Sequence, residues 1–402
     1  MVPNILIFFG AGASRAASPL FPLVNDLFKV AGQLVEREIN LSESKNMLPV
    51  GMDPFWQFMD YMEKKNLWQS TRNFLGAHHL EPILRTRSET LPEIRQSMKS
   101  YLGWLLSLNS GKFLTSIEAV VRQIEGIHFN SGVNETRSAL NRFLTWLFLR
   151  VEKEAALDYQ KTPHAFFLKT LLDKGLLSQT MFVSFNYDTV LEKSIRALDA
   201  TRNINWNPIG GYGFDPAGYY SLKKGRIENG KVLKDGGLTI IKPHGSLAWA
   251  RKEDDVFPIV DDRGNFGDRP GVPWNNGDLE DIFQRSGLEP AIIAPGRIKR
   301  LSGPHSWQTW RALRAAIRTQ VKKIVVIGWN IPKTDEEIKE RISRYIEARS
   351  DEEQIEKLII CDPNASTVFF DRMSAVFMPK RRVHLTEGFE KESDRIIEHL
   401  IG

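Results

Sequence analysis

The chain has 402 residues, of which 42% are hydrophobic and 10% aromatic, so it can bury one large core or two moderate ones. Its formal net charge of +5 at pH 7 favours anionic ligands in general, but so small an excess does not mark a nucleic-acid-binding protein. The single cysteine, Cys361, excludes an intrachain disulfide and a zinc site built from cysteines.

The first predicted element is a strand, Ile5–Phe9, that runs directly into the glycine-rich segment Gly10–Ser14. An apolar run this short, without polar alternation, is typical of a parallel strand that is covered on both faces. Glycine lets backbone N–H groups approach a ligand closely, and the N-terminus of a following helix adds partial positive charge. This combination favours a pyrophosphate as ligand, although many glycine turns bind nothing.

The same N-terminal apolar run is too short for a secretory signal, and no basic residue precedes it. No segment approaches the roughly 18 consecutive apolar residues of a membrane span. The sequence therefore predicts a cytoplasmic protein that does not contact a membrane.

Further strands are predicted from short runs that are rich in β-branched and aromatic residues. These runs are Thr180–Phe185, Leu238–Ile241, Lys323–Ile327 and Lys357–Cys361. Apolar residues at helical spacing lie between several of them. Strands that alternate with helices indicate βαβ units, so the predicted fold is α/β, with a doubly wound, mostly parallel, Rossmann-like sheet.

The first two predicted strands are separated by about 170 residues, far more than a crossover helix needs. The intervening stretch, 36–159, is helix-rich and contains many large aromatic residues. We interpret those residues chiefly as the core of a helical insertion. The predicted organisation is a discontinuous Rossmann-like domain at 1–35 and 160–402, interrupted by this insertion.

Two stretches look irregular in sequence. Asn203 to Gly237 is dense in Gly, Asn and Tyr, which suggests a loop or a hairpin, and Lys252 to Gly287 carries Gly, Pro and Asp. Both follow predicted strands, where pocket walls and lids usually lie. The basic clusters at 297–300 and 380–382 are interpreted as solvated faces rather than nucleic-acid sites.

Polar motifs follow three of the predicted strands. They are Phe185-Asn186-Tyr187-Asp188, Lys242-Pro243-His244-Gly245-Ser246, and the segment from Gly328 to Asp335. A polar residue at a strand end often only caps a turn, but the carboxyl ends of parallel strands converge on one crevice. Together with the glycine-rich segment, these motifs predict a single ligand site at that edge of the sheet.

At these residues the chain resembles the SIR2-like family of sirtuin-related, NAD-consuming proteins. Segment Gly10–Ser14 is similar to the family's Gly-Ala-Gly-x-Ser phosphate loop, and Asn186 and Asp188 to its Asn-x-Asp. His244-Gly245 matches its catalytic His-Gly, and Gly328 to Asp335 resembles a Gly-x-Ser-x-Pro-x-x-Asp motif in which Asn330 replaces the serine. The resemblance implies catalytic roles for Asn186, His244 and Asp188. It implies NAD binding by Gly10, Ala11, Gly12, Ala13, Ser14, Gly245, Ser246, Gly328, Asn330, Asp335 and Asp362.

The chain departs from protein-deacylating sirtuins in two respects. It lacks their four-cysteine zinc module, and no Pro-Asp-Phe-Arg segment follows the glycine turn. Both departures point to the zinc-less bacterial branch, whose members, by resemblance, hydrolyse NAD in defence against phage. No metal is therefore expected, and the resemblance suggests a companion ATPase of the HerA type or a phage component as activator.

The residue chemistry agrees with cleavage of the nicotinamide–ribose bond. A histidine such as His244 can take a proton from a ribose hydroxyl or a water, an amide such as Asn186 can hold that water, and Asp188 can orient the carboxamide of nicotinamide. Two alternatives stay open: a non-catalytic sensor of NAD or ADP-ribose, and a nucleic-acid-associated defence protein. Because an unrestrained NAD hydrolase would exhaust its own cell, we expect a regulated homo-oligomer.

Overall fold

In the computed structural model, the described residues are 3–23, 26–45, 53–64, 96, 98–100, 102, 133–202, 204, 206–214, 219–221, 226–228, 238–252, 255–260, 283, 288–293, 304–332, 335–350 and 353–402. They form two compact units. The first contains Met1–Phe21, Glu152–Ile293 and Arg297–Gly402, and the second contains Pro22–Val151 with Ala294–Gly296. The predicted helical insertion at 36–159 falls largely in the second unit, and its status as a separate domain stays a prediction.

The strands are, in chain order, β1 (Ile5–Phe9), β2 (Thr180–Ser184), β3 (Tyr219–Ser221), β4 (Arg226–Glu228), β5 (Thr239–Ile241), β6 (Gly245–Lys252), β7 (Asp255–Val260), β8 (Glu289–Ile292), β9 (Lys323–Ile327), β10 (Lys357–Cys361) and β11 (Arg381–Leu385). The helices are α1 (Ala11–Ala17), α2 (Leu27–Ser44), α3 (Asp53–Lys64), α4 (Val133–Ala155), α5 (Pro163–Asp173), α6 (Val190–Arg202), α7 (Pro208–Gly211), α8 (Pro304–Thr319), α9 (Glu336–Glu347), α10 (Thr367–Phe377) and α11 (Phe389–Ile401).

A six-stranded, all-parallel sheet is the centre of the first unit, with the strand order β11-β10-β9-β1-β2-β5. Numbered by their order within this sheet, the strands run 6-5-4-1-2-3, which is the order of doubly wound dinucleotide-binding sheets. The order reverses between β1 and β9, so a crevice is expected at their carboxyl ends. The predicted α/β, Rossmann-like sheet is thus confirmed at the level of its architecture.

Both faces of this sheet are covered, which explains why its strands are apolar without alternation. Ile5, Ile7 and Phe9 pack on one face against helices α5, α6 and α11. Leu6 and Phe8 pack on the other face against α8, α9 and α10. Each such fully buried side chain contributes about 1.5–3 kcal/mol of burial free energy, so the carboxyl ends of the strands are rigidly placed.

The prediction omitted strand β11, which lies at the edge of the sheet. Its residues Arg381 and Arg382 are exposed, as the predicted solvated face requires, but they belong to a strand paired with β10. An edge strand needs no apolar run because one side meets solvent, and charged side chains there discourage pairing with other chains. The other basic cluster, 297–300, lies outside the described residues.

A second, five-stranded sheet, β4-β3-β7-β6-β8, belongs to the same unit. The antiparallel pair β3–β4 is a hairpin within the stretch Asn203 to Gly237, where the sequence suggested a loop or hairpin. The irregular reading of Lys252 to Gly287 is wrong at Asp255–Val260, which is strand β7, paired antiparallel with β6. Its partner β6 begins directly after His244, so this sheet fixes one side of the predicted site.

The described helices of the second unit share an aromatic core. Phe28, Phe55, Phe58 and Phe143 lie with ring centroids 4.7–6.4 Å apart, and Trp146 packs against Phe55 at 5.6 Å. Such pairs add about 0.5–1.5 kcal/mol each beyond area burial, so these residues serve as core, as expected. Within the described part of the chain, no helix combines the length and apolarity needed to cross a membrane.

Candidate functional site

The predicted motifs follow strands of the parallel sheet at one edge. Segment Gly10–Ser14 follows β1, Asn186–Asp188 follow β2, His244 follows β5 and Gly328–Asp335 follow β9. In a parallel sheet these ends share an edge, and β1 and β9 flank the point where the strand order reverses. The structure therefore brings residues from distant parts of the chain together at one end of the sheet.

Two glycine turns meet backbone to backbone at this end of the sheet. A Cβ on Gly12 would lie 2.8 Å from Gly328 Cα, and one on Gly328 would lie 2.6 Å from the backbone nitrogen of Ala13. Gly328 also has a φ of +60°, which favours glycine. These glycines are thus explained by the contact between the two turns as well as by any ligand.

Several amides of the first turn are already used within the protein. Gly10 N–H donates to the Ile327 carbonyl, Gly12 N–H to Gly328 and Ala13 N–H to Gly10, at 2.9–3.1 Å. Helix α1 is only seven residues long. The turn consequently offers a phosphate fewer donors than its sequence alone indicates, and the Ala11 amide donates to no group in the described part of the chain.

Asn186, Ser14 and Asp188 form a hydrogen-bonded chain beside this turn. The Asn186 amide nitrogen donates to the Gly10 carbonyl at 2.9 Å and to Ser14 Oγ at 2.8 Å. Ser14 Oγ then donates to Asp188 Oδ2 at 2.7 Å. Because the Gly10 carbonyl can only accept, the Asn186 nitrogen must face it, which leaves Asn186 Oδ1 as an acceptor for a ligand or water.

Asp188 is held between the site and helix α6. Its Oδ1 accepts from the Val190 amide at 3.2 Å in the first turn of that helix, and the residue is 4% exposed. The pKa of the Asp188 carboxyl is raised to about 6, chiefly by burial; the carboxylates of Glu152 and Glu192 contribute to the rise, while Lys242 and the Ser14 hydroxyl oppose it. Asp188 is thus a carboxyl whose charge changes near neutral pH.

The imidazole of His244 is held at both nitrogens. Nδ1 lies 3.0 Å from the Phe185 carbonyl, so this nitrogen must carry a proton. Nε2 lies 3.1 Å from Asp335 Oδ1, and Asp335 Oδ2 accepts from the indole nitrogen of Trp329 at 3.1 Å. Trp329 in turn stacks on Phe185, with ring centroids 4.1 Å apart. The ring orientation of His244 is therefore fixed from two strand ends.

Four of the predicted residues, Gly245, Ser246, Asn330 and Asp362, take no part in the hydrogen bonds described above. Gly245, with a φ of +81°, packs tightly on the Ala291 backbone in β8, and the Ser246 hydroxyl points to Glu192 at 3.4 Å. Asn330 is exposed. Asp362 lies at the end of β10, where its carboxylate accepts from the Asn364 amide at 2.8 Å, and burial raises its pKa.

Sequence reasoning missed several buried residues that hold the site. Trp329 and Lys242 lie within the predicted motifs, but the sequence does not show which groups the Trp329 indole and the Lys242 ammonium contact. Glu152 and Glu192 lie in helices, and only the fold brings Glu152 to the Thr189 amide at 2.6 Å. Helical carboxylates that end up fully buried have no local sequence signal, because similar residues are usually solvated.

Among the described residues, no group of three or more His, Cys, Asp or Glu side chains could hold a metal ion. The chain matches no protein-family model, and the curated proteins searched give no match to its sequence either. Function is therefore inferred from the geometry of the site.

Proposed function

We propose that the protein is an NAD glycohydrolase, which cleaves the nicotinamide–ribose bond of NAD and releases nicotinamide and ADP-ribose. One observation carries the proposal. Asn186, Asp188 and His244 converge at the switch point of a sheet with dinucleotide-binding strand order, and each is locked by buried hydrogen bonds. Polar side chains preorganised at such a crevice are typical of a nucleotide site with chemistry to perform.

The residues suit a reaction with an oxocarbenium-like transition state, which needs well-placed groups more than a strong nucleophile. Asn186 Oδ1 would hold the attacking water or a ribose hydroxyl. The electron pair of the broken bond stays with nicotinamide, and the water oxygen bonds to the ribose carbon. The released proton passes to the His244–Asp335 pair. Remaining lone pairs of Asp188 would accept from the nicotinamide carboxamide.

The non-catalytic sensor is the second candidate, and one distance favours it. His244 Nε2 faces the Asp335 carboxylate at 3.1 Å, so a proton lies between these two groups and Nε2 has no lone pair ready to act as a base. A protein that only binds NAD needs no available base there. Under the hydrolase proposal, substrate must loosen this contact or the pair must accept the proton jointly.

Turnover of NAD by the purified chain separates the two candidates. We expect release of free nicotinamide, and we expect Asn186→Ala and His244→Ala each to lower the rate by about 10²–10⁴-fold. His399→Ala is the matched control. The His399 carbonyl accepts a hydrogen bond from the Lys357 ammonium at the start of β10, which is at the opposite end of the strands from the candidate site. Binding of NAD without release of nicotinamide would establish the sensor instead.

A further inference from the structure

A buried ion pair lies behind the candidate site. Lys242 Nζ lies 2.7 Å from Glu192 Oε1, and both side chains are 0% exposed. The same ammonium donates to the backbone carbonyl of Asp188 at 2.6 Å. Lys242 thus connects the end of β5 with the loop that follows β2.

One carboxylate oxygen of Glu192, Oε1, accepts hydrogen bonds from three segments of the chain. Besides Lys242, the Tyr212 hydroxyl donates to Oε1 at 3.3 Å and Ser246 Oγ at 3.4 Å. The other oxygen, Oε2, has no hydrogen-bond partner in the described part of the chain. The carboxylate is therefore held from one side only.

Stability alone does not explain such a pair. Removing two charges from water costs more than their attraction returns unless every lone pair and proton is satisfied, and Glu192 Oε2 is not. Apolar residues of similar volume usually serve the fold as well or better. What only Lys242 supplies is a fixed donor to the Asp188 carbonyl, placed two residues before His244.

We propose that Lys242, held by Glu192, is a positioning residue that sets the distance between the Asn186–Asp188 loop and His244. The proposal rests on the proposed function, because it states how that site is assembled. The Lys242 ammonium donates a hydrogen bond to the Asp188 carbonyl in this loop, and the Lys242 backbone continues through Pro243 to His244. Since a misplacement of about 1 Å can cost about 100-fold in rate, this link matters for turnover more than for binding.

The test is the neutral double variant Lys242→Met with Glu192→Gln, which removes both charges and so leaves no uncompensated ion. Arg196→Met with Asp199→Asn is the matched control. It removes an ion pair of 2.9 Å, with side chains 5% and 19% exposed, from the same helix α6 without touching Asp188. Thermal unfolding, kcat and KM for NAD, and hydrogen exchange of the amides at 185–189 are measured on each.

We expect the Lys242–Glu192 double variant to unfold at about the parent temperature, with kcat lowered about 100-fold, KM little changed, and exchange at 185–189 faster by about tenfold. The control should match the parent in kcat. Parent kcat and unchanged exchange in the double variant would overturn the proposal, and so would its failure to fold. If the parent itself releases no nicotinamide, the proposed function fails, while hydrogen exchange still decides whether Lys242 positions the loop.

Discussion

The buried carboxyl of Asp188 predicts a specific pH dependence of stability. Burial raises the pKa of this group from its ordinary value of 3.8 to about 6 in the folded protein. Folding therefore favours the protonated form, and Asp188 adds stability at low pH that is lost as the pH rises through 6. Asp188→Asn removes the titration while keeping an uncharged side chain of nearly the same shape.

The size of the effect follows from the two pKa values. A difference of about 2 units corresponds to about 3 kcal/mol at about 1.4 kcal/mol per unit. About four-fifths of it should be lost between pH 4 and pH 7, because the unfolded group titrates near 3.8 and the folded one near 6. Titrating groups that do not interact with Asp188 contribute equally to both proteins and cancel in their difference.

The assay is urea unfolding of the parent and Asp188→Asn at half-unit steps from pH 4 to pH 8. The free energy of unfolding of the parent, minus that of the variant, should fall by about 2–3 kcal/mol over this range. Parallel curves would show that Asp188 is ionised at little cost, and would refute the buried environment described for it.

Two further predictions concern the glycine turns and metal. Gly328→Ala should lower the free energy of unfolding clearly more than Gly175→Ala in the same urea assay. Both glycines have a positive φ, which costs a non-glycine residue about 1–3 kcal/mol. However, a Cβ at 328 would lie 2.6 Å from backbone atoms, whereas a Cβ at 175 would meet no described atom within 4 Å. Equal losses would remove the close approach as the reason for Gly328. Nicotinamide release should persist in excess EDTA, since no group proposed for the chemistry is a Lewis acid, and activity that vanishes with EDTA and returns with a divalent ion would require another mechanism.

The central strands were predictable because burial on both faces demands unbroken apolar runs. Ile5–Phe9, Lys323–Ile327 and Lys357–Cys361 have the bounds that the sequence predicted, while the strand predicted at Thr180–Phe185 ends one residue earlier. The motifs at their ends were also visible, because Gly, Asn, Asp and His recur directly after several such runs. The shared edge then follows from the parallel sheet.

The edge strand β11 and the second sheet were not predictable in the same way. Strand β11 carries two exposed arginines, and β7 begins with the exposed Asp255 and contains Pro258. Such strands owe their formation to neighbours far along the chain rather than to their own composition.

The contacts that complete the site were hidden for a related reason. Asp335 reads as the end of a motif, yet its carboxylate bonds His244 and Trp329. Lys242 reads as a strand-end lysine, yet it holds the Asp188 carbonyl. Pairings of this kind depend on where whole strands end relative to one another, which the register of the sheet decides and local sequence does not.

Product analysis with NAD tests the central claim most directly. A long incubation of the parent chain with excess NAD, followed by quantification of both products, allows for weak turnover without an activator. The account predicts nicotinamide and ADP-ribose in equal amounts, at many molecules of each per molecule of protein, and little of either with His244→Ala. Intact NAD after incubation with the parent, or the same product yield from His244→Ala, would contradict it.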